Sequence, residues 1–139
     1  MDEQISNQQA FAEKVVWITG ASGGIGEEMA VAFARAGSKL VLSARNQKKL
    51  ECVRDRCFEA GADHGSILVL PLDVVDLDAM PGAVNKVMEK YSKIDLLINN
   101  AGVGVRDFCT DIKIDVYRAA LEVNLIGPIA LTKQVLPIM

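Results

Sequence analysis

The chain has 139 residues, of which 50% are hydrophobic and 24% are charged, and its formal net charge is −3. This length is typical of one domain, and the composition supplies a hydrophobic core, which excludes a disordered chain. The mildly acidic balance argues against a surface that binds nucleic acid or another polyanion.

The N-terminal region precedes the first apolar run and is predicted to be a leader over residues 1–14. Residues 1–9 are polar and slightly acidic, which is unlike a signal peptide. No apolar run reaches the roughly 18–20 residues that span a bilayer, so no transmembrane segment is expected. These features predict a cytoplasmic protein.

The predicted elements alternate between strands and helices from residue 15 onward. The strands are predicted at 15–19, 39–43, 67–70 and 94–98, and the helices at 24–36, 47–60, 77–91 and 115–139. The first helix carries an apolar stripe of Ile25, Met29, Ala32, Phe33 and Ala36, and the last is disturbed at Gly127 and Pro128. Alternation of helices with strands that are apolar on both faces predicts an α/β fold with a parallel sheet covered on both sides.

The stretch Thr-Gly-Ala-Ser-Gly-Gly-Ile-Gly at 19–26 lies where the first predicted strand turns into the first helix. Gly20 tolerates the positive φ of a tight turn. Gly24 and Gly26 have no Cβ, so a phosphate can approach the backbone and the helix can pack close to its strand. The helix N-terminus offers N–H groups and a partial positive charge to a pyrophosphate. This arrangement predicts a dinucleotide site.

Polar or glycine-rich residues follow every predicted strand. They are residues 19–26, residues 43–46, Asp73 and residues 99–102. Right-handed crossovers bring the carboxyl ends of parallel strands to one edge of the sheet, where ligands of such sheets bind. The convergence predicts a nucleotide site at that edge.

The sequence contains nothing typical of a metal site or a nucleophilic triad. It has one histidine, His64, without a neighbouring ligand, and three cysteines without C-x-x-C spacing. We therefore expect no metal and three reduced thiols.

The glycine motif at 19–26, together with Asn-Asn-Ala-Gly at 99–102, resembles the short-chain dehydrogenase/reductase family from about residue 15 to residue 139. The resemblance implies a Rossmann-type doubly wound sheet, truncated after about four strands and the fifth helix. Residues 15–139 are then a partial dinucleotide-binding domain. It also implies hydride transfer to or from an apolar ketone or secondary alcohol, and a homo-oligomer formed through the last helix. Similar proteins with a membrane-anchoring leader make the endoplasmic reticulum membrane the alternative location.

The resemblance also implies roles for individual residues. The phosphate-cradling turn comprises Gly20, Ser22, Gly24, Ile25 and Gly26. Asp73 reads the adenine amino group with the Val74 backbone beside it, and Asn100, Ala101 and Gly102 lie under the nicotinamide ribose. Asn99 ties the central strands together, and Asn124, the one catalytic candidate, holds a water in the proton relay.

Coenzyme choice depends on the end of the second predicted strand. In the NAD-dependent members an acid at this place accepts a hydrogen bond from the ribose 2′-OH and repels a 2′-phosphate. Here residues 43–46 read Ser-Ala-Arg-Asn, without an acid. Arg45 can pair with a 2′-phosphate and stack on adenine. NADP(H) is therefore predicted, with NAD(H) as the alternative; the other interpretation of Arg45 is an ordinary surface arginine.

The family's Tyr-x-x-x-Lys pair is not found in these residues. Asp95 stands four residues after Tyr91, and Leu121 four residues after Tyr117. The tyrosine of that pair passes the proton while the lysine lowers its pKa, so neither tyrosine here has that role. We expect the chain to be the cofactor-binding half of an oxidoreductase, inactive by itself. The alternative is a catalytically inactive NADP(H)-binding module or a truncated fragment.

Overall fold

The computed structural model describes residues 10–139, so residues 1–9 of the predicted leader lie outside the described residues. The described end of the leader packs on the domain. The Phe11 ring meets the Phe33 ring edge-on, with 5.2 Å between centroids. The Ser38 hydroxyl donates to the Phe11 carbonyl oxygen at 2.8 Å. These contacts attach the leader's end to the first helix and to the start of the second strand.

The centre of the fold is a sheet of four parallel strands. They are β1 (Val15–Thr19), β2 (Lys39–Ser43), β3 (Ile67–Val69) and β4 (Leu96–Ile98), in the order β3-β2-β1-β4. The bounds of β1 and β2 agree with the prediction, and β3 and β4 are shorter than predicted. Thr19 pairs with Ser43 and Ile18 pairs with Ile98, so the carboxyl ends of three strands are in register.

Five α-helices accompany the strands between residues 15 and 139. They are α1 (Gly24–Arg35), α2 (Gln47–Glu59), α3 (Met80–Tyr91), α4 (Ile114–Leu121) and α5 (Gly127–Val135), with 3₁₀ turns at Leu77–Ala79 and Leu136–Ile138. None of the helices in this part of the chain is long and apolar enough to cross a membrane.

The two faces of the sheet carry separate cores, which confirms the doubly wound α/β fold. Val15 and Trp17 of β1 pack with α3 and with Leu131 of α5. Val16 and Ile18 pack on the other face with α1 and α2, where Cys57 is buried. Successive residues of a strand point to opposite faces, so an apolar run such as β1 is buried only when both faces are covered.

The predicted apolar stripe of α1 is correct only in part: Met29 and Phe33 pack against the core, but the fully buried face lies beside them. The buried residues of α1 are Gly26, Ala30, Val31 and Ala34, whereas Ile25 is 75% exposed. A Cβ at position 26 would collide with the Gly20 carbonyl. At Gly26 the helix therefore lies too close to the glycine turn for any side chain.

The predicted long helix over 115–139 is interrupted before the predicted place. A π-helical turn, Glu122–Ile126, separates α4 from α5, and such turns are frequent at functional sites. Pro128 lies in the first turn of α5, where its missing N–H is not needed. A Cβ at Gly127 would collide with the Val74 carbonyl oxygen, so the glycine serves close packing.

Candidate functional site

The turn after β1 requires glycine at two positions for different reasons. Gly20 has φ +66°, and a Cβ there would lie 2.8 Å from the Ala101 Cα. At Gly26 a Cβ would collide with the Gly20 carbonyl and the side-chain amide of Asn100. The turn is therefore pressed against the segment after β4, and any larger residue would push the two apart.

Partly buried hydrogen bonds tie the end of β1 to the end of β4. The Thr19 hydroxyl donates to the Ile98 carbonyl at 3.3 Å. It accepts from the backbone N–H groups of Asn100 and Ala101, both at 3.1 Å. The Asn100 amide donates to the carbonyls of Thr19 at 3.1 Å and Gly20 at 3.2 Å. This network holds the glycine turn in place.

The expectation that Asn99 ties the central strands is wrong, because Asn100 does so. The Asn99 amide instead donates to the Thr132 hydroxyl on α5 at 3.0 Å. Neighbouring residues at a strand end point in opposite directions. Asn100 is the one whose side chain points toward β1.

The end of β2 is anchored to β1 and to the turn that follows β1. The Trp17 indole N–H donates to the Ser43 hydroxyl at 2.8 Å in the core, and the Ala21 N–H donates to the Ser43 carbonyl at 3.1 Å. Beyond β2, the Asn46 side chain caps α2 by accepting from the Lys49 N–H at 3.0 Å. The chain therefore passes from β2 to α2 with Arg45 exposed between two fixed points.

The segment after β3 brings Asp73 to the same edge. Asp73 Oδ1 accepts from the Val75 N–H at 3.2 Å, and Val74 is buried beside Gly127. The Asp73 side chain is half-buried, so its carboxylate remains accessible to a ligand.

Asn124 lies in the π-helical turn and holds the loop after β4. Its Oδ1 accepts from the Val103 N–H at 2.8 Å, and its Nδ2 donates to the Val103 carbonyl at 2.8 Å. A Cβ at Gly102 would lie 3.2 Å from the same Oδ1. The Asn124 side chain thus positions residues 102–103 from the helix.

The strand ends enclose a cleft of about 880 Å³, a volume within the range of small-molecule and cofactor sites. Two residues that were predicted to bind the cofactor, Gly24 and Gly26, are not part of its lining. The other predicted residues all line the cleft: Gly20, Ser22, Ile25, Arg45, Asp73, Val74, Asn100, Ala101 and Gly102. Gly26 instead brings α1 close to the turn. Asn124 is not in the lining and contacts it through Val103.

Several lining residues were missed by the sequence analysis. They are Lys49, Leu72, Val103 and Val123, whereas Gly23, Ala44 and Asn46 lie within the stretches 19–26 and 43–46 that were predicted to meet at this edge. Lys49 had a detectable signal, because it is a cationic residue in the first turn of the helix that follows Arg45. Val123 had none, since its place depends on the π-helical turn.

The charges in the cleft are unevenly matched. Among the lining residues, Arg45 and Lys49 are cationic and Asp73 is the one acid. Within residues 10–139 neither cation forms an ion pair. The same part of the chain contains no group of residues that could hold a metal ion.

Neither tyrosine belongs to the cleft lining. Burial raises the pKa of Tyr91, whose hydroxyl donates to the Leu40 carbonyl at 3.4 Å. The Tyr117 hydroxyl donates to the Cys109 sulfur at 3.5 Å, and this hydrogen bond raises the pKa of Tyr117. Neither phenol has the lowered pKa that an acid–base tyrosine requires.

The comparisons with known proteins agree with this geometry. A family model described as short chain dehydrogenase matches residues 14–139. The chain belongs to the short-chain dehydrogenase/reductase family. Human dehydrogenase/reductase SDR family member 7 is 47% identical over 130 residues, which are 93% of this chain and 38% of that protein. The chain therefore spans well under half the length of this relative.

Solved short-chain dehydrogenase/reductase structures share the fold and include both coenzyme forms. A metagenomic short-chain oxidoreductase in complex with NADP has a TM-score of 0.84 and 30% identity, over 94% of this chain and 58% of that one. A family member from Burkholderia phymatum in complex with NAD has a TM-score of 0.84 and 31% identity, over 93% of this chain and 45% of that one.

Proposed function

We propose that this chain is the cofactor-binding part of an oxidoreductase that transfers a hydride between NADP(H) and a carbonyl or secondary alcohol. The observation that carries the proposal is the cleft where the glycine turn, Arg45, Asp73 and Asn100 meet at one edge of the sheet. The nicotinamide of the cofactor supplies or accepts the hydride. The residues described here bind and orient that cofactor.

The glycine turn and the start of α1 suit a pyrophosphate. Gly23, the N-cap of α1, has no side chain to satisfy the first N–H groups of the helix, and no side-chain cap is present. Those donors and the partial positive charge of the helix end are available to an anion. Gly20, Ser22, Gly24, Ile25 and Gly26 are accordingly assigned to the phosphate-binding turn.

The remaining lining residues are assigned along the length of the cofactor. In this proposal Asp73 and Val74 contact the adenine, and Asn100, Ala101 and Gly102 lie under the nicotinamide ribose. Asn124 is assigned to the proton relay as the holder of a water. Its two hydrogen bonds to Val103 give it a positioning role as well.

The preference for NADP(H) rests on residues 43–46. This segment contains no acid that could accept from a ribose 2′-OH, and Arg45 is exposed beside the cleft. An arginine matches the planar oxygens of a phosphate and stacks on an aromatic base. Since one structural neighbour is in complex with NADP and another with NAD, the choice depends on this chain's own side chains.

The proposed activity is tested by adding apolar ketones, among them a steroid ketone, with NADPH to the protein isolated from its natural source. Ketone-dependent loss of NADPH absorbance, faster than with NADH, supports the proposal. NADPH binding without turnover favours the second candidate, a catalytically inactive NADP(H)-binding module.

The second candidate would bind the cofactor without a Tyr-x-x-x-Lys pair. Neither Tyr91 nor Tyr117 lines the cleft or is followed by a lysine at the required spacing. The mass of the isolated protein separates the two candidates. A mass near the 15.0 kDa of these residues favours the binding module. A mass about two to three times as large favours the complete oxidoreductase, because this chain covers 38% of its human relative and 58% of the metagenomic oxidoreductase.

The proposal extends to assembly and location. Ile129 of α5 is 49% exposed and Leu136 is 65% exposed. Covering such side chains in a second copy would remove apolar surface from water, so we propose a homo-oligomer formed through α5. We place the protein in the cytoplasm, with the endoplasmic reticulum membrane as the alternative. Sedimentation velocity and microscopy of the tagged protein test these two statements.

A further inference from the structure

The first turn of α2 has an unusual charge. Lys48 and Lys49 lie at its N-terminus, and this turn contains no acidic residue. By contrast, α1 carries Glu27 and α4 carries Asp115 in their first turns. The N-terminal end of a helix is partially positive, so cations there are unfavourable and anions favourable. An anion bound beside this turn would interact favourably both with the lysines and with the positive end of the helix.

The two lysines differ in where they lie. Lys49 lines the cleft with Arg45 and Asn46, whereas Lys48 is not in the lining. The cap from Asn46 to the Lys49 N–H fixes the first turn and with it the origin of the Lys49 side chain. Within residues 10–139 neither lysine forms an ion pair. Lys49 therefore presents its charge to the cleft.

We infer that Lys49 is a second specificity-determining residue, which together with Arg45 binds the 2′-phosphate of NADP(H). This inference rests on the proposed function. A phosphate monoester has a second pKa of about 6 and so carries nearly two negative charges at neutral pH. Arg45 compensates one of them, and Lys49 compensates the other. Arginine supplies directed hydrogen bonds and lysine a mobile point charge. NAD(H) has a neutral hydroxyl at this place and gains nothing from Lys49.

The test compares Lys49→Met with Lys48→Met. Both substitutions remove one positive charge from the same helical turn, so Lys48→Met is a matched control for net charge and helix propensity. NADPH and NADH are titrated into each purified protein and dissociation constants are read from quenching of Trp17, the single tryptophan. Lys49→Met should raise the Kd for NADPH about three- to tenfold and leave the Kd for NADH within about twofold.

Lys48→Met should leave both constants within about twofold. Equal effects of the two substitutions on NADPH would overturn the inference, because general charge would then explain them. Lys49→Arg keeps the charge and should keep the NADPH affinity. If Lys49→Met fails to fold, Lys49→Arg provides the test instead. A loss of NADPH affinity in Lys49→Arg as large as that in Arg45→Ala would contradict the role of charge at position 49.

The outcome separates the inference from the proposed function. If Arg45→Ala reduces the preference for NADPH and Lys49→Met does not, NADP(H) specificity stands and the role of Lys49 is wrong. If the unaltered protein binds neither nucleotide, both are wrong. Raising the salt concentration should reduce the difference in NADPH affinity between Lys49→Met and the unaltered protein, since interactions between exposed charges are screened by salt.

Discussion

Two regions of the cleft are built in different ways. The glycine turn (residues 20–26) is held by the buried Thr19 and by Asn100, and it has no room for a Cβ at Gly20 or Gly26. The basic connection (residues 44–49) has exposed charged side chains between β2 and the cap of α2. Changes in the turn should therefore alter the binding of any dinucleotide. Changes in the connection should alter only which dinucleotide is preferred.

The largest effect is expected for Gly26→Ala. The added Cβ would collide with the Gly20 carbonyl and the Asn100 amide. We expect the free energy of unfolding to fall by about 1–3 kcal/mol and binding of NADPH and NADH to be lost together, as measured by urea denaturation and calorimetric titration. Gly82→Ala is the control: a Cβ there meets no atom within 4 Å, and in α3 it should stabilise by about 0.5–1 kcal/mol. Normal binding by Gly26→Ala would show that the turn is not tightly packed.

Arg45→Ala should have the next largest effect and should leave stability unchanged. The substitution removes the charged hydrogen bond to the 2′-phosphate, so the NADPH/NADH affinity ratio should fall roughly ten- to hundred-fold. The ratio is measured by titrating both nucleotides into the variant, and its melting temperature serves as the folding control. An unchanged ratio contradicts the assignment of Arg45 to the 2′-phosphate.

Asn100→Ala tests the network behind the turn. It removes two donors from the carbonyls of Thr19 and Gly20, so we expect a loss of about 1–3 kcal/mol in unfolding free energy and weaker binding of both nucleotides by a similar factor. Asn99→Ala removes one bond at the exposed surface and should cost less than about 0.5 kcal/mol. Larger destabilisation by Asn99→Ala than by Asn100→Ala would reverse the roles given to these neighbours.

The smallest effect is expected at Asp95, at the opposite end of β1 from the cleft. Asp95 Oδ2 accepts from the Val15 N–H at 2.8 Å. This bond, with the positive charges of Lys93 and Lys14, lowers the pKa of Asp95. Asp95→Ala should reduce the unfolding free energy at neutral pH by about 1–2 kcal/mol and leave the NADPH/NADH ratio unchanged.

The pH dependence of that effect has a definite sign. A carboxyl whose pKa is lower in the folded state stabilises the protein above its unfolded pKa, and the stabilisation is lost as the pH falls through the folded pKa. The difference between the unaltered protein and Asp95→Ala should therefore shrink below about pH 4. A constant difference in urea denaturation across that range would mean that the ionised carboxylate contributes nothing.

The sequence was sufficient where local geometry decides the structure. An apolar run followed by Gly20 and Gly26 predicts both β1 and the tight turn, because positive φ and the exclusion of a Cβ are properties of the residue itself. Arg45 was found by its position after a strand and by the missing acid.

The sequence was insufficient where packing between elements decides. Ile25 is apolar but exposed, because the face of α1 that packs on the sheet is the one that carries Gly26, Ala30 and Ala34. Asn100, and not Asn99, ties β1 to β4, and this depends on which of the two side chains points toward Thr19. The position of Val123 in the lining depends on a π-helical turn that no residue pattern indicates.

A crystal structure of the protein with NADPH bound tests the division between the two regions most directly. The account predicts the pyrophosphate against residues 20–26, and the 2′-phosphate within hydrogen-bonding distance of Arg45 and Lys49. A cofactor bound with its 2′-phosphate in solvent, away from the basic connection, would contradict it.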